Sequence, residues 1–166
     1  MSELKVISKT SALVIYSPLL SGETLTEFEK FIVSGRSITE PALIEDLNEI
    51  GARIKKMSIS CGARENLFRV EGKRNDHVVA LPLLQKWRSK AIGVLRLYCI
   101  RVSDQVLIIG NGGIKRVQKY QQDPVLFSHV RLLQRIDNKI QRALNSREID
   151  IEDCNSVMSV LNNLVF

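Results

Sequence analysis

Residues 92–120 read IGVLRLYCIRVSDQVLIIGNGGIKRVQKY, and their interpretation decides the fold. Two apolar segments, Gly93 to Val102 and Gln105 to Ile109, flank Ser103-Asp104, the pattern of a β-hairpin. Period-two alternation puts Leu95, Leu97 and Cys99 on one side of the first strand and Arg96, Tyr98 and Ile100 on the other. The first set suits a core. Arg96 and Tyr98 then project from the opposite side, two residues apart and able to meet one ligand. A turn at Ser103-Asp104 brings Arg96 opposite Asn111, beside Gly112-Gly113, a pair expected to form a corner or bulge. Beyond that pair lies a basic tail with Lys115, Arg116, Lys119 and Tyr120.

Upstream, residues 4–16 carry β-branched runs that suggest an opening strand or hairpin, ended by Pro18. Thr24 with Glu27 three residues later marks a helix start, and Leu25, Phe28, Phe31 and Ile32 follow at helical spacing until Gly35. Thr39 and Pro41 open a second helix, whose apolar stripe runs through Leu43, Ile44, Leu47, Ile50 and Ile54 toward Ile59. A short extended piece is expected at Leu67 to Val70. Residues 77–84, HVVALPLL, suggest a strand in which Pro82 marks an edge or a terminus. The following QKWRSKA reads as an exposed connection carrying Lys86, Arg88 and Lys90.

Downstream, Asp123-Pro124 starts a long helix with Val125, Leu126, Val130, Leu133, Ile136, Ile140 and Leu144 on one face. Its polar face holds Arg131, Arg135, Lys139 and Arg142, either a solvated surface or an extension of a nucleic-acid surface. Val157, Val160, Leu161 and Leu164 make a last amphipathic helix whose exposed end could pair two copies of the chain. The expected architecture is one α+β domain over residues 1–166. Helices pack on one face of a small, mainly antiparallel β-sheet whose other face is basic, with an extra N-terminal strand region and C-terminal helix.

Composition bounds the function. With 45% hydrophobic and 25% charged residues the chain is an ordinary globular protein. Its apolar runs are far shorter than the roughly 20 residues a membrane helix needs, so no membrane partner is expected. Cys61, Cys99 and Cys154 show no CxxC spacing, which argues against zinc and for three free thiols in a reducing cytoplasm. His77 and His129 stand far apart with no acidic or cysteine partner at ligand spacing, and no GxSxG context surrounds any serine. No metal or cofactor is expected. The net charge of +6 is unevenly placed: residues 73–119 hold ten Lys or Arg against two Asp, a balance of +8, so the remainder is at −2. Such a concentration points to an anionic partner, nucleic acid or an acidic protein.

The candidate site is therefore Arg96, Tyr98, Lys115, Arg116, Lys119 and Tyr120, with Lys86, Arg88, Lys90 and Arg101 nearby. Guanidinium groups hold phosphate oxygens bidentately, lysines add point charge, and a tyrosine can stack on a base. The same set can address RNA cleavage without a metal, since cations stabilise the pentavalent phosphate. Arginine does not lose its proton, so the base would be a lysine with a lowered pKa or a tyrosine. The other reading of these residues is a non-catalytic module that binds nucleic acid or an acidic protein.

The run LRLYCIR, then VLIIGNGGIKRVQKYQQDP, then a helix, resembles the RelE/HigB-like toxin family of bacterial toxin-antitoxin systems. Arg96 and Tyr98 match that family's R-x-Y-like strand, and Gly113, Ile114, Lys115 and Arg116 match the strand end and basic segment that follow. The similarity covers about residues 43–140, leaving 147–166 as a helical extension. Asn111-Gly112-Gly113 stands where the family usually has an aromatic residue. The resemblance implies an endoribonuclease that cuts mRNA, on the ribosome or free, and a cognate antitoxin that holds it inactive.

Overall fold

The computed structural model describes residues 1–71, 77–82 and 88–166. Six strands form one sheet: β1 (Glu3–Lys9), β2 (Val14–Leu19), β3 (Arg69–Val70), β4 (Val78–Leu81), β5 (Val94–Ser103) and β6 (Val106–Lys115). Four helices accompany them: α1 (Glu27–Gly35), α2 (Pro41–Lys56), α3 (Pro124–Ser146) and α4 (Cys154–Asn162). The strand order is β1-β2-β6-β5-β4-β3, antiparallel except where β2 runs parallel to β6. This is an α+β fold with a mainly antiparallel sheet. Among the described residues, no helix is long and apolar enough to cross a membrane.

The central strands explain the architecture. The alternation along β5 separates two cores. Leu95, Leu97 and Cys99 join Phe31 of α1 and Leu43 and Ile50 of α2 on one face. Tyr98, Ile100 and Val102 join Val130, Leu133, Ile136 and Ile140 of α3 and Val157 and Leu161 of α4 on the other. The helices thus cover both faces of the sheet, where the sequence suggested one. A strand buried on both sides is nearly continuously apolar, as β5 and the VLII of β6 are, and such a strand has no display side except where it outruns its cover. The C-terminal helix belongs to this second core: Val157, Val160 and Leu161 are buried, and Phe166 N–H donates to Ser2 carbonyl. Its apolar face is taken up within the chain, which removes the reason for assigning it to a second copy.

Local signals place most helix ends. Thr26, not Thr24, caps α1, in a reciprocal capping box with Glu29; the same Thr-x-x-Glu pattern occurs two residues later than expected. Pro41 opens α2, and Asp123 caps α3 by accepting from Val125 and Leu126 N–H, with Pro124 in the first turn. The helix α2 stops at Lys56 and widens into a π turn over Met57–Cys61, leaving Ile59 exposed. Strand β4 ends at Leu81, directly before Pro82.

Asp46 ties α2 to the hairpin. Its carboxylate, buried in the apolar stripe between Leu43 and Ile50, accepts from both terminal nitrogens of Arg88 and from Leu95 N–H. Asp46→Ala strands the Arg88 charge and the Leu95 amide, and removing one partner of a buried pair costs about 3–5 kcal/mol. Urea denaturation should show this loss, with Asp46→Asn recovering part of it.

His129 on α3 is half-buried, and burial pulls its imidazole pKa below the ordinary value, against Glu27 and Asp123 and with Lys30. The unfolded chain therefore binds the proton more readily than the fold. The His129 contribution is present above about pH 6.5 and is lost as pH falls toward the folded value. Denaturation midpoints of the wild type and His129→Asn should diverge at neutral pH and converge in mild acid; parallel profiles would contradict this assignment.

Candidate anion site

The hairpin register differs from the simple expectation, and the difference builds the site. The turn is Asp104-Gln105, with Ser103 opposite Val106, and two irregularities follow. The pairing Cys99↔Ile109 becomes Leu97↔Gly112, a bulge that sets Arg96 opposite Gly113 and Val94 opposite Lys115. The glycines make this possible: a Cβ on Gly112 would stand 1.8 Å from the Arg96 carbonyl oxygen. Strand β6 therefore continues through the Asn-Gly-Gly segment to Lys115, which shares Arg96's face.

There the end of the hairpin gathers charge. Arg96 is 2% exposed and Lys115 8%, and both approach the Glu71 carboxylate: Arg96 Nε lies 3.8 Å from Oε1 and Lys115 Nζ 3.7 Å from Oε2. Arg69 Nε lies 3.2 Å from the same Oε1. Three cations thus surround one carboxylate. Arg96 also donates from a terminal nitrogen to Pro82 carbonyl at 3.2 Å, whereas among the described residues its buried Nε has no hydrogen-bond partner, and neither does the buried Tyr98 hydroxyl. Burial pulls the Lys115 pKa down; Glu71 opposes that shift, and Arg96 and Arg69 add to it. Arg96 is likewise lowered, chiefly by burial.

These groups open on a pocket of about 290 Å³ lined by Arg88, Lys90, Arg96, Lys115 and Arg116, with Gly93 at its edge. Gly93 has φ +74°, and a Cβ there would meet Lys115 carbonyl at 2.8 Å. Arg116 is exposed, and its Nε donates to Ala91 carbonyl at 3.3 Å. Lys90 is exposed as well. The pocket is a built cation cluster and suits a phosphate-sized anion.

Five of the residues singled out by sequence meet here: Arg88, Lys90, Arg96, Lys115 and Arg116. Others do not. Tyr98 is fully buried under α3, edge-on to Tyr120, which in turn stacks on Phe127. Its burial keeps the ring from a base and raises the phenol pKa, which holds the hydroxyl protonated. Arg101 sits at the opposite end of the hairpin, held by Asp104 and by Ala63 carbonyl. Lys119 is exposed outside the pocket lining, and Lys86 lies outside the described residues.

Sequence reading missed Asp46, Glu71 and Arg69. Asp46 had a signal, a carboxylate three residues from Leu43 and four from Ile50 within an apolar stripe. Glu71 had none, lying in a stretch without periodicity. His77 does have an acidic partner: its Nδ1 is 2.9 Å from Asp137 Oδ2, and Gln141 donates to Oδ1 of the same carboxylate. Among the described residues no group of three or more His, Cys, Asp or Glu could hold a metal ion. No family model matches the chain, and no curated protein or solved structure matches it.

Removing the Glu71 charge should expose the cluster's demand for an anion. Glu71→Gln loses about 3–5 kcal/mol in chloride, because Arg69, Arg96 and Lys115 keep their charges without this counter-ion. Added sulfate should raise the Tm of this variant more than that of the wild type, and equal increments would show that the cluster does not take the anion.

Proposed function

We propose that the chain binds nucleic acid by seating a backbone phosphate in the pocket at the end of the β5–β6 hairpin. The observation that carries this reading is Arg96: a guanidinium 2% exposed, whose Nε faces Glu71 at 3.8 Å without a hydrogen bond among the described residues, lining a pocket shared with four further cations. Burial lowers the local dielectric and strengthens each charge-assisted contact to a phosphate oxygen. The exposed Arg131, Arg135, Lys139 and Arg142 of α3 give a second positive surface, suited to longer-range attraction of a polyanion.

A second reading, RNA cleavage by a RelE/HigB-like toxin, has one specific observation in its favour. Lys115 lies at the pocket with a pKa pulled down by burial, the direction of shift that a lysine acting in proton transfer needs. In that reading Arg96 and Arg116 hold the scissile phosphate, Lys115 takes or returns the proton, and Tyr98 has no part. The cytoplasm, a ribosome-bound substrate and a neutralising antitoxin belong to this reading and rest on the sequence resemblance.

Fluorescence anisotropy with a single-stranded RNA tests the first reading. Binding should weaken with salt, and Lys90→Ala with Arg116→Ala should lower affinity about tenfold and reduce the slope of log K against log salt by about 0.7 per lost phosphate contact. Both residues are exposed, so the fold is kept. RNA binding unchanged in this double variant overturns the assignment. Loss of cleavage with retained binding in Lys115→Met would separate the second reading from the first, and absence of cleavage by the wild type removes it.

A further inference from the structure

The basic pocket has a larger neighbour. A cleft of about 590 Å³ lies between the end of α1 with the α1–α2 connection on one side and the start of α3 on the other. Its floor is β6 from Gly112 to Ile114, and Arg116 lines both this cleft and the basic pocket. Ligand sites for small organic groups fall at about 300–1,000 Å³, apolar in the main with a few fixed polar groups.

The floor has an unusual supply of main-chain groups. Strand β2 pairs with β6 only from Val106 to Ile108. Beyond that point β6 keeps β5 on one side and, among the described residues, has no strand on the other. In an antiparallel pair every second residue turns its N–H and C=O away from its partner, so this stretch presents amide groups along the cleft. Gly112 N–H answers the missing strand locally, donating to Asn111 Oδ1 at 2.8 Å. Gly112 and Gly113 carry no side chains to screen that edge. The walls are apolar where they meet it: Phe31, Leu43, Leu95 and Ile114 from one side and Leu126 from the other.

We infer that this cleft receives a nucleobase next to the phosphate held in the basic pocket. The inference rests on the phosphate reading above. A base needs apolar surface for its two ring faces and donors and acceptors for its edge, and the cleft provides both: apolar walls, and a strand edge with no further strand beside it among the described residues. Arg116, common to both hollows, stands where the sugar and phosphate join a base to its chain. An extended peptide could also use a strand edge, but it carries no phosphate to place beside Arg96 and Lys115.

The test compares one single-stranded RNA with an abasic ribose-phosphate chain of equal length. The RNA should bind about tenfold more tightly than the abasic chain, the scale of stacking one base. Val125→Trp and Ser34→Trp each fill the cleft from an exposed position on opposite walls, so both variants fold. Each should bring RNA affinity down to the abasic level and leave the abasic affinity unchanged. Equal binding of the two chains by the wild type, or a preference for RNA that survives both variants, overturns the base cleft while the phosphate reading stands. If neither chain binds, the phosphate reading fails and the cleft assignment with it. Capture of an uncharged extended peptide by the wild type, lost in both variants and with no RNA preference, would assign the cleft to a protein instead.

Discussion

A single carboxylate, Glu71, organises the charged end of this molecule. Arg69, Arg96 and Lys115 all point at it, and two of the three are almost wholly removed from water. One negative charge cannot neutralise three positive ones, and desolvated cations without a counter-charge are costly. Among the described residues the cluster therefore holds more positive than negative charge. Among the described residues, Arg69, Arg96 and Lys115 share this one counter-charge at distances of 3.2, 3.8 and 3.7 Å.

The position of that excess follows from the layering. With α1 and α2 on one face and α3 and α4 on the other, both faces of the central strands are covered. The hairpin is longer than its cover, so Arg96 and Lys115 stand where β5 begins and β6 ends. Asp46 anchors this end from α2 by holding both Arg88 and the backbone at Leu95. One of the pocket's own cations is thus fixed by a helix that never enters the pocket.

Much of this was legible in advance. The Asp123-Pro124 start of α3, the stripe of α2 and the alternation that sends Leu95, Leu97 and Cys99 to one side are each set by short-range chemistry. The cover over Tyr98 was not legible, because alternation assigns residues to faces and says nothing of what packs on each. A tyrosine beside an arginine looks displayed until α3, more than twenty residues later, is laid across it. The charge count was silent on pairing for a related reason. Arg88 and Arg96 lie inside the basic stretch, while their counter-charges, Asp46 and Glu71, lie outside it. The parallel docking of β2 against β6 joins strands separated by about ninety residues, and no local pattern announces it.

The β6 bulge has a wider meaning as a phase shift in the alternation of the strand. Up to Ile109 the odd-numbered residues of β6 face α1 and α2 and the even-numbered ones face α3. The extra residue between Ile109 and Gly112 reverses that parity, so Ile114 joins the first core and Lys115 stands beside Arg96. Without it, an isoleucine would stand beside Arg96 and a lysine would face the first core. A single inserted residue therefore sets the chemical identity of the whole site, and loop or strand lengths in this segment are constrained in steps of two.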